Sequence, residues 1–225
     1  MMRLRQVRAL VAKDVRIEVR TREVLYTSLL FSIVLVTLFI FSGFGETAET
    51  RRAAPGVLWV SLTFVGTLVF GRTFQREREE RAVLGLLLAP GATDSLFVAK
   101  LIVNLLFLGA VELLLVPLVA VLFKLDLAQV AGPLFVLLAT GTLGFCTLGT
   151  VLAAALSSLR LKEVLMPLVL FPLALPVLLA GVKGTSALLD APDWSSVTSW
   201  LTLIIAFDAL FLVLSKWLFR QALDG

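Results

Sequence analysis

Two carboxylic acids, Glu112 and Asp208, lie midway through long apolar runs. A charge at the bilayer centre costs ~2.5–3.5 kcal/mol on insertion scales, so such acids usually face a bundle interior. There they serve ion movement, or they are protonated or hydrogen-bonded to a neighbouring Ser, Thr or Asn. A second constellation is the charge run Arg76, Glu77, Arg78, Glu79, Glu80 and Arg81. It is followed by an apolar quintet from Gly85 to Ala89 and by a Pro90-Gly91 stop. The other residue types that carry chemistry are sparse. There is no histidine, no GxxxxGK[ST] loop, no HExxH, no Cys/His cluster and no GxSxG. Gly181-Val182-Lys183-Gly184-Thr185 is only a fragment of a phosphate loop. Met166, Cys146 and Tyr26 are conceivable ligands, and each is better explained by packing. No metal site and no catalytic group is expected, which disfavours a membrane enzyme.

The elements that must position these residues follow from composition. The 225-residue chain is 59% hydrophobic and 16% charged, with mean hydropathy +1.00. A soluble domain is about 45–50% apolar and about 25% charged. The strand alternation of an outer-membrane barrel is absent, so the expected fold is an all-α polytopic membrane protein. Six spans are expected, at 24–44, 55–74, 97–123, 131–157, 164–182 and 197–219, with Pro55 in the first turn of the second. Residues 1–23 carry seven basic residues. Leu4, Val7, Val11 and Val15 share one face, and Arg5, Lys13, Arg16 and Arg20 the opposite one. This predicts an amphipathic helix on an anionic membrane surface, with lipid as its partner. The layout is an N-terminal helix (1–23), a six-helix membrane domain (24–219) and a short tail (220–225).

Charge bias orients the chain. Sixteen of the 20 Lys and Arg residues fall on the side of the two termini and the segment between spans two and three. The positive-inside rule puts that side in the cytoplasm. Trp59, Trp194 and Trp217 fall near span ends, as interfacial aromatics do. Gly141, Gly144, Gly149 and Ala153, with Thr140 and Thr150, predict close helix approach along the fourth span. Pro167, Pro172 and Pro176 favour kinks in the fifth.

The segment between spans two and three is too polar for lipid. Helical spacing puts Glu77, Arg81, Leu84 and Leu88 along one side, so it can lie at the membrane surface and meet a soluble partner. It can also be a solvated loop that only satisfies charge bias. An ion-coupled carrier using Glu112 and Asp208 is the alternative function. Such carriers show matching broken helices, and the proline-rich fifth span has no counterpart in the first half.

The motifs Thr73-Phe74-Gln75-x-Glu77, Gly85-Leu-Leu-Leu-Ala-Pro90 and Ala99-Lys100 resemble those of the haem exporter protein B family (CcmB). The likeness continues through LGAVELLLVPLVAVLF, KEVLMPLVLFPLALPVLLAGVKGT and WLTLIIAFDALFLVLSKWLF, across essentially the whole chain. One departure is Leu84, where the family often has an acid. The resemblance implies an ABC-2-type exporter permease, multi-pass in the bacterial inner membrane, with an elbow helix at 1–23 and a cytoplasmic coupling segment at 75–96. It maps ATPase coupling onto Gln75, Glu77, Glu79, Glu80, Arg81, Gly85, Leu86 and Pro90. The partners it implies are an ABC ATP-binding subunit that holds the ATP, a haem-handling membrane subunit and a periplasmic haem chaperone. It implies no nucleic acid and allows a homodimer. No cofactor is expected on this chain alone, with haem a candidate cargo in cytochrome c maturation.

Overall fold

Lipid cannot hydrogen-bond to an open backbone, so an apolar chain of this kind must close its bonds within helices. The computed structural model describes residues 2–41, 47–74, 92–159 and 161–224, and all elements among them are helices. In order they are α1 (Met2–Thr21), α2 (Glu23–Phe41), α3 (Thr47–Arg72), α4 (Ala92–Leu122), α5 (Ala131–Leu156), α6 (Lys162–Asp190) and α7 (Trp194–Asp224). The helices α3 to α7 are five elements long and apolar enough to cross a membrane. The pair α1–α2, bent by 65°, raises the number to six when counted as one span.

The α1–α2 corner is made by Arg22, whose φ of 53° is left-handed. Its N–H still donates to the Glu18 carbonyl at 2.5 Å, so the chain turns as α1 ends. The α4–α5 corner uses the same device at Lys124, with φ 52°. There the Leu125 N–H returns to the Ala120 carbonyl at 2.8 Å.

The centre of the bundle is α5, which packs against α3, α4, α6 and α7. Small residues let it do so. Side chains from neighbouring helices occupy the space that a Cβ would take: the Trp59 ring at Gly141, the Phe70 ring at Gly149 and the Asp208 carboxylate at Gly144. The glycines therefore receive large side chains, which is how the close approach expected from their spacing is achieved. The outward faces of α4, α6 and α7 carry exposed Leu113, Val121, Leu168, Leu179, Ile205 and Val213, as lipid-facing surfaces should.

Several expectations need correction. The helix α3 begins at Thr47, so Pro55 is well inside it rather than in its first turn. The run from Thr47 to Ala54 is rich in good helix formers, which carries the helix back past the proline. The turn expected at 183–196 shrinks, because α6 continues to Asp190 and leaves only three residues before α7. Trp59 is not interfacial. It is 1% exposed, and its indole N–H donates to Thr185 Oγ at 3.0 Å. Trp194 and Trp217 are exposed, as expected. The residues of the tail from 220 to 224 continue α7. All three prolines, Pro167, Pro172 and Pro176, lie inside the single helix α6. Each removes an N–H bond to the carbonyl four residues earlier, and Pro172 and Pro176 face outward.

Of the expected apolar face of α1, Leu4 is exposed. Val7, Val11 and Val15 are half-buried as expected, and Gln6, Leu10 and Asp14 also take part in the inward face, because α1 packs on α4. Arg5, Arg8, Arg16 and Arg20 project from the other side.

Candidate functional site

The charged segment itself, with Gln75, Glu77, Glu79, Glu80, Arg81, Gly85, Leu86 and Pro90, lies outside the described residues. Its two flanks are described, and they form a buried polar and aromatic base. Lys100 in α4 is 4% exposed, although it is charged. Its Nζ lies 2.8 Å from Asp14 Oδ2 of α1 and 5.5 Å from the Phe74 ring centroid. A buried charge needs a partner of this kind, since desolvating it alone is costly. Asp14 also meets Lys13 at 3.4 Å. One turn further along α4, Asn104 stands on the same side. Its Nδ2 donates to Thr150 Oγ of α5 at 2.9 Å, and its Oδ1 is 3.1 Å from Thr73 Oγ. Five residues before Lys100, Ser95 Oγ donates to Gln6 Oε1 of α1 at 3.2 Å.

Rings complete this base. Phe219 of α7 lies 6.0 Å from Phe74 and 5.1 Å from Phe97 between ring centroids. Phe74, Phe97 and Phe219 are all buried. Contacts from α1, α4 and α7 thus converge on Thr73 and Phe74, just past the end of α3, and on the start of α4. The sequence reading missed Asp14 and Asn104, and it used Lys100 only within a motif. A lone lysine and a lone amide in an otherwise apolar stretch were the available signal.

The two membrane-embedded acids are not brought together. Glu112 of α4 is half-buried and accepts a hydrogen bond from the Thr142 hydroxyl of α5. Asp208 of α7 is 5% exposed and presses on Gly144, also of α5. Among the described residues its Oδ1 has no hydrogen-bond partner. Two positions along a helix are about 200° apart around its axis. The acids therefore approach α5 from nearly opposite sides, and a relay using both would have to pass that backbone. Cys146 is fully buried, and Met166 is packed in the core. Among the described residues no three His, Cys, Asp or Glu side chains gather as a metal site would require.

The fold and this base define a polytopic helical membrane protein whose helices α1, α3, α4 and α7 are pinned together at one end. The family profile described as CcmB protein matches residues 5–224, and the chain belongs to that family. Its relatives include proteins named heme exporter protein B. That of Pseudomonas aeruginosa is 28% identical over 88% of both chains. That of Rhodobacter capsulatus is 32% identical over 78% of this chain and 80% of its own. That of Bradyrhizobium diazoefficiens is 26% identical over 82% of both.

Proposed function

We propose that the chain is the permease subunit of an ABC transporter complex in the bacterial inner membrane. In this reading, ATP hydrolysed by a separate subunit drives haem export, or release of a haem-loaded chaperone, in cytochrome c maturation. The observation that carries the proposal is the family match along residues 5–224, with relatives named heme exporter protein B that align over most of both chains. The chain has no phosphate-binding loop and no histidine, so in this reading a separate subunit supplies the ATP site and any haem handled here is not held through histidine. The partners are the ATP-binding subunit, a haem-handling membrane subunit and a periplasmic haem chaperone. The charge bias puts both termini and segment 75–90 in the cytoplasm, where the ATPase is.

Docking is assigned to segment 75–90. Leu86 and its apolar neighbours are the anchors, because interface energy concentrates in fully desolvated side chains at the centre of a contact rather than at its exposed rim. Glu77, Glu79, Glu80 and Arg81 make rim contacts, each worth ~0–1 kcal/mol. Leu86→Asp should reduce ATPase retention in a pull-down far more than Glu79→Ala, because an unpaired buried carboxylate costs several kcal/mol. The comparison is made at equal membrane insertion. Wild-type retention by Leu86→Asp would remove 75–90 as the docking segment. A tag-free preparation of this subunit alone should also show no bis-histidine haem spectrum, since it lacks histidine.

A further inference from the structure

We infer that Lys100 is a positioning residue. With Asp14, it ties α1 to both flanks of segment 75–91, so that α1 and those flanks move as one unit. The inference rests on the reading of 75–90 as the ATPase-docking segment.

The pair is poorly explained by stability alone. A buried ion pair can be replaced by packed apolar groups with little loss, because desolvation offsets the attraction. Methionine at position 100 would fill much the same space. The ion pair adds connection and direction. One ammonium reaches the Asp14 carboxylate of α1 at 2.8 Å and stands 5.5 Å from the centroid of Phe74, the last described residue before the segment. Asn104, one turn on, holds Thr73 beside it. Ser95, five residues back, holds Gln6, so α1 is attached to α4 at two points. Phe219 packs against both Phe74 and Phe97, which brings in the end of α7. The exit of α3 and the start of α4 are therefore bound to each other and to α1. Force applied to the segment between them reaches α1 through the Lys100–Asp14 contact.

The test uses the full chain in native membranes, with its ATPase where one co-purifies. Four variants are compared: Asp14→Asn, Lys100→Met, the neutral double D14N/K100M and the exchange D14K/K100D. Three quantities are read: chain level in the membrane, trypsin cleavage within α1 (Arg8, Arg16 and Arg20 are exposed) and holocytochrome c formed per chain. Asp14→Asn removes the carboxylate that meets the buried Lys100 ammonium at 2.8 Å, so its chain level should fall. The neutral double should recover much of the wild-type level, since both charges of the pair are removed together. It should still be cut in α1 about ten-fold faster, the factor for loss of one modest docking contact. Its holocytochrome yield should fall in parallel, and the exchange, which adds a trypsin site at position 14 and is therefore read by chain level and yield alone, should recover both at least in part.

A neutral double with wild-type protection and yield would mean that the pair only neutralises buried charge, and the inference fails. Faster cleavage with full yield would overturn the link to coupling, and lower yield with unchanged cleavage would overturn the tie. If the wild-type chain retains no ATPase, the parent reading fails instead. The cleavage comparison needs no partner and still decides whether the tie exists.

Discussion

Asp208 and Gly144 constrain each other, because the Asp208 carboxylate occupies the space a Cβ at position 144 would need. Gly144→Ala should lower stability by ~1–3 kcal/mol, the usual cost of overpacking a filled interior. Thermal unfolding in detergent reads it, and Gly144→Ala/Asp208→Ala should recover part of the loss. No recovery would mean that another neighbour fills that space. Trp59 and Thr185 form a second coupled pair, with the indole N–H at 3.0 Å from the hydroxyl. Thr185→Val keeps the shape and removes the acceptor. A buried donor left unpaired costs ~1–3 kcal/mol, so the melting temperature should drop. The adjacent Ser186, whose hydroxyl donates within its own helix to the Val182 carbonyl, should tolerate alanine.

At the scale of elements, the two corners carry strain that can be relieved. Lys124 is exposed and holds φ 52°. An L residue there costs ~1–2 kcal/mol relative to glycine. Lys124→Gly should therefore raise the melting temperature by ~2–4 °C per kcal/mol recovered, the scaling for a chain of this size. An unchanged or lower value would mean that the left-handed turn is not strained. The start of α7 depends on Asp193. Its carboxylate accepts from the Ser195 hydroxyl at 2.5 Å and from the Trp194 N–H at 2.8 Å. These bonds, Ser195 first, hold its pKa below the ordinary carboxylate value. A depressed folded pKa gives stability that is present above the unfolded value, ~3.9, and is lost as pH falls through the folded one. Amide exchange at the first turn of α7 should speed up on acidification in that window, and the acid dependence should vanish in Asp193→Asn.

For the molecule as a whole, topology is the decisive property. Sixteen basic residues against four predict that the ends of the chain and segment 75–91 share the cytoplasmic side. Single cysteines at Ala128, in the α4–α5 connection, and at Ser195, in the first turn of α7, both exposed, should label from outside intact cells in a Cys146→Ala background. A cysteine at Ser158, also exposed, should label only after permeabilisation. The reverse pattern would invert the chain and remove segment 75–90 from reach of a cytoplasmic ATPase.

The helical membrane fold and most helix positions were legible from composition and hydropathy, because lipid permits few structures and the ~20-residue length of a span is set by the bilayer. The connections near 124–130 and 158–163 were equally legible, since charge and polarity interrupt the apolar runs there. The glycines of α5 signalled close packing, and a hydroxyl partner for Glu112 was an anticipated alternative. The partners themselves belonged to tertiary structure alone. Trp59 near a helix end looks interfacial until Thr185, 126 positions away, is folded against it. Lys100 and Asp14 are 86 residues apart, and no local pattern pairs them. Which side of α5 each acid would meet was also undecided, because hydrophobic periodicity is weak where nearly every position is apolar. In lipid the outward face is as apolar as the inward one. The sequence could thus say that the chain crosses the membrane, and only packing could decide which buried polar groups answer each other.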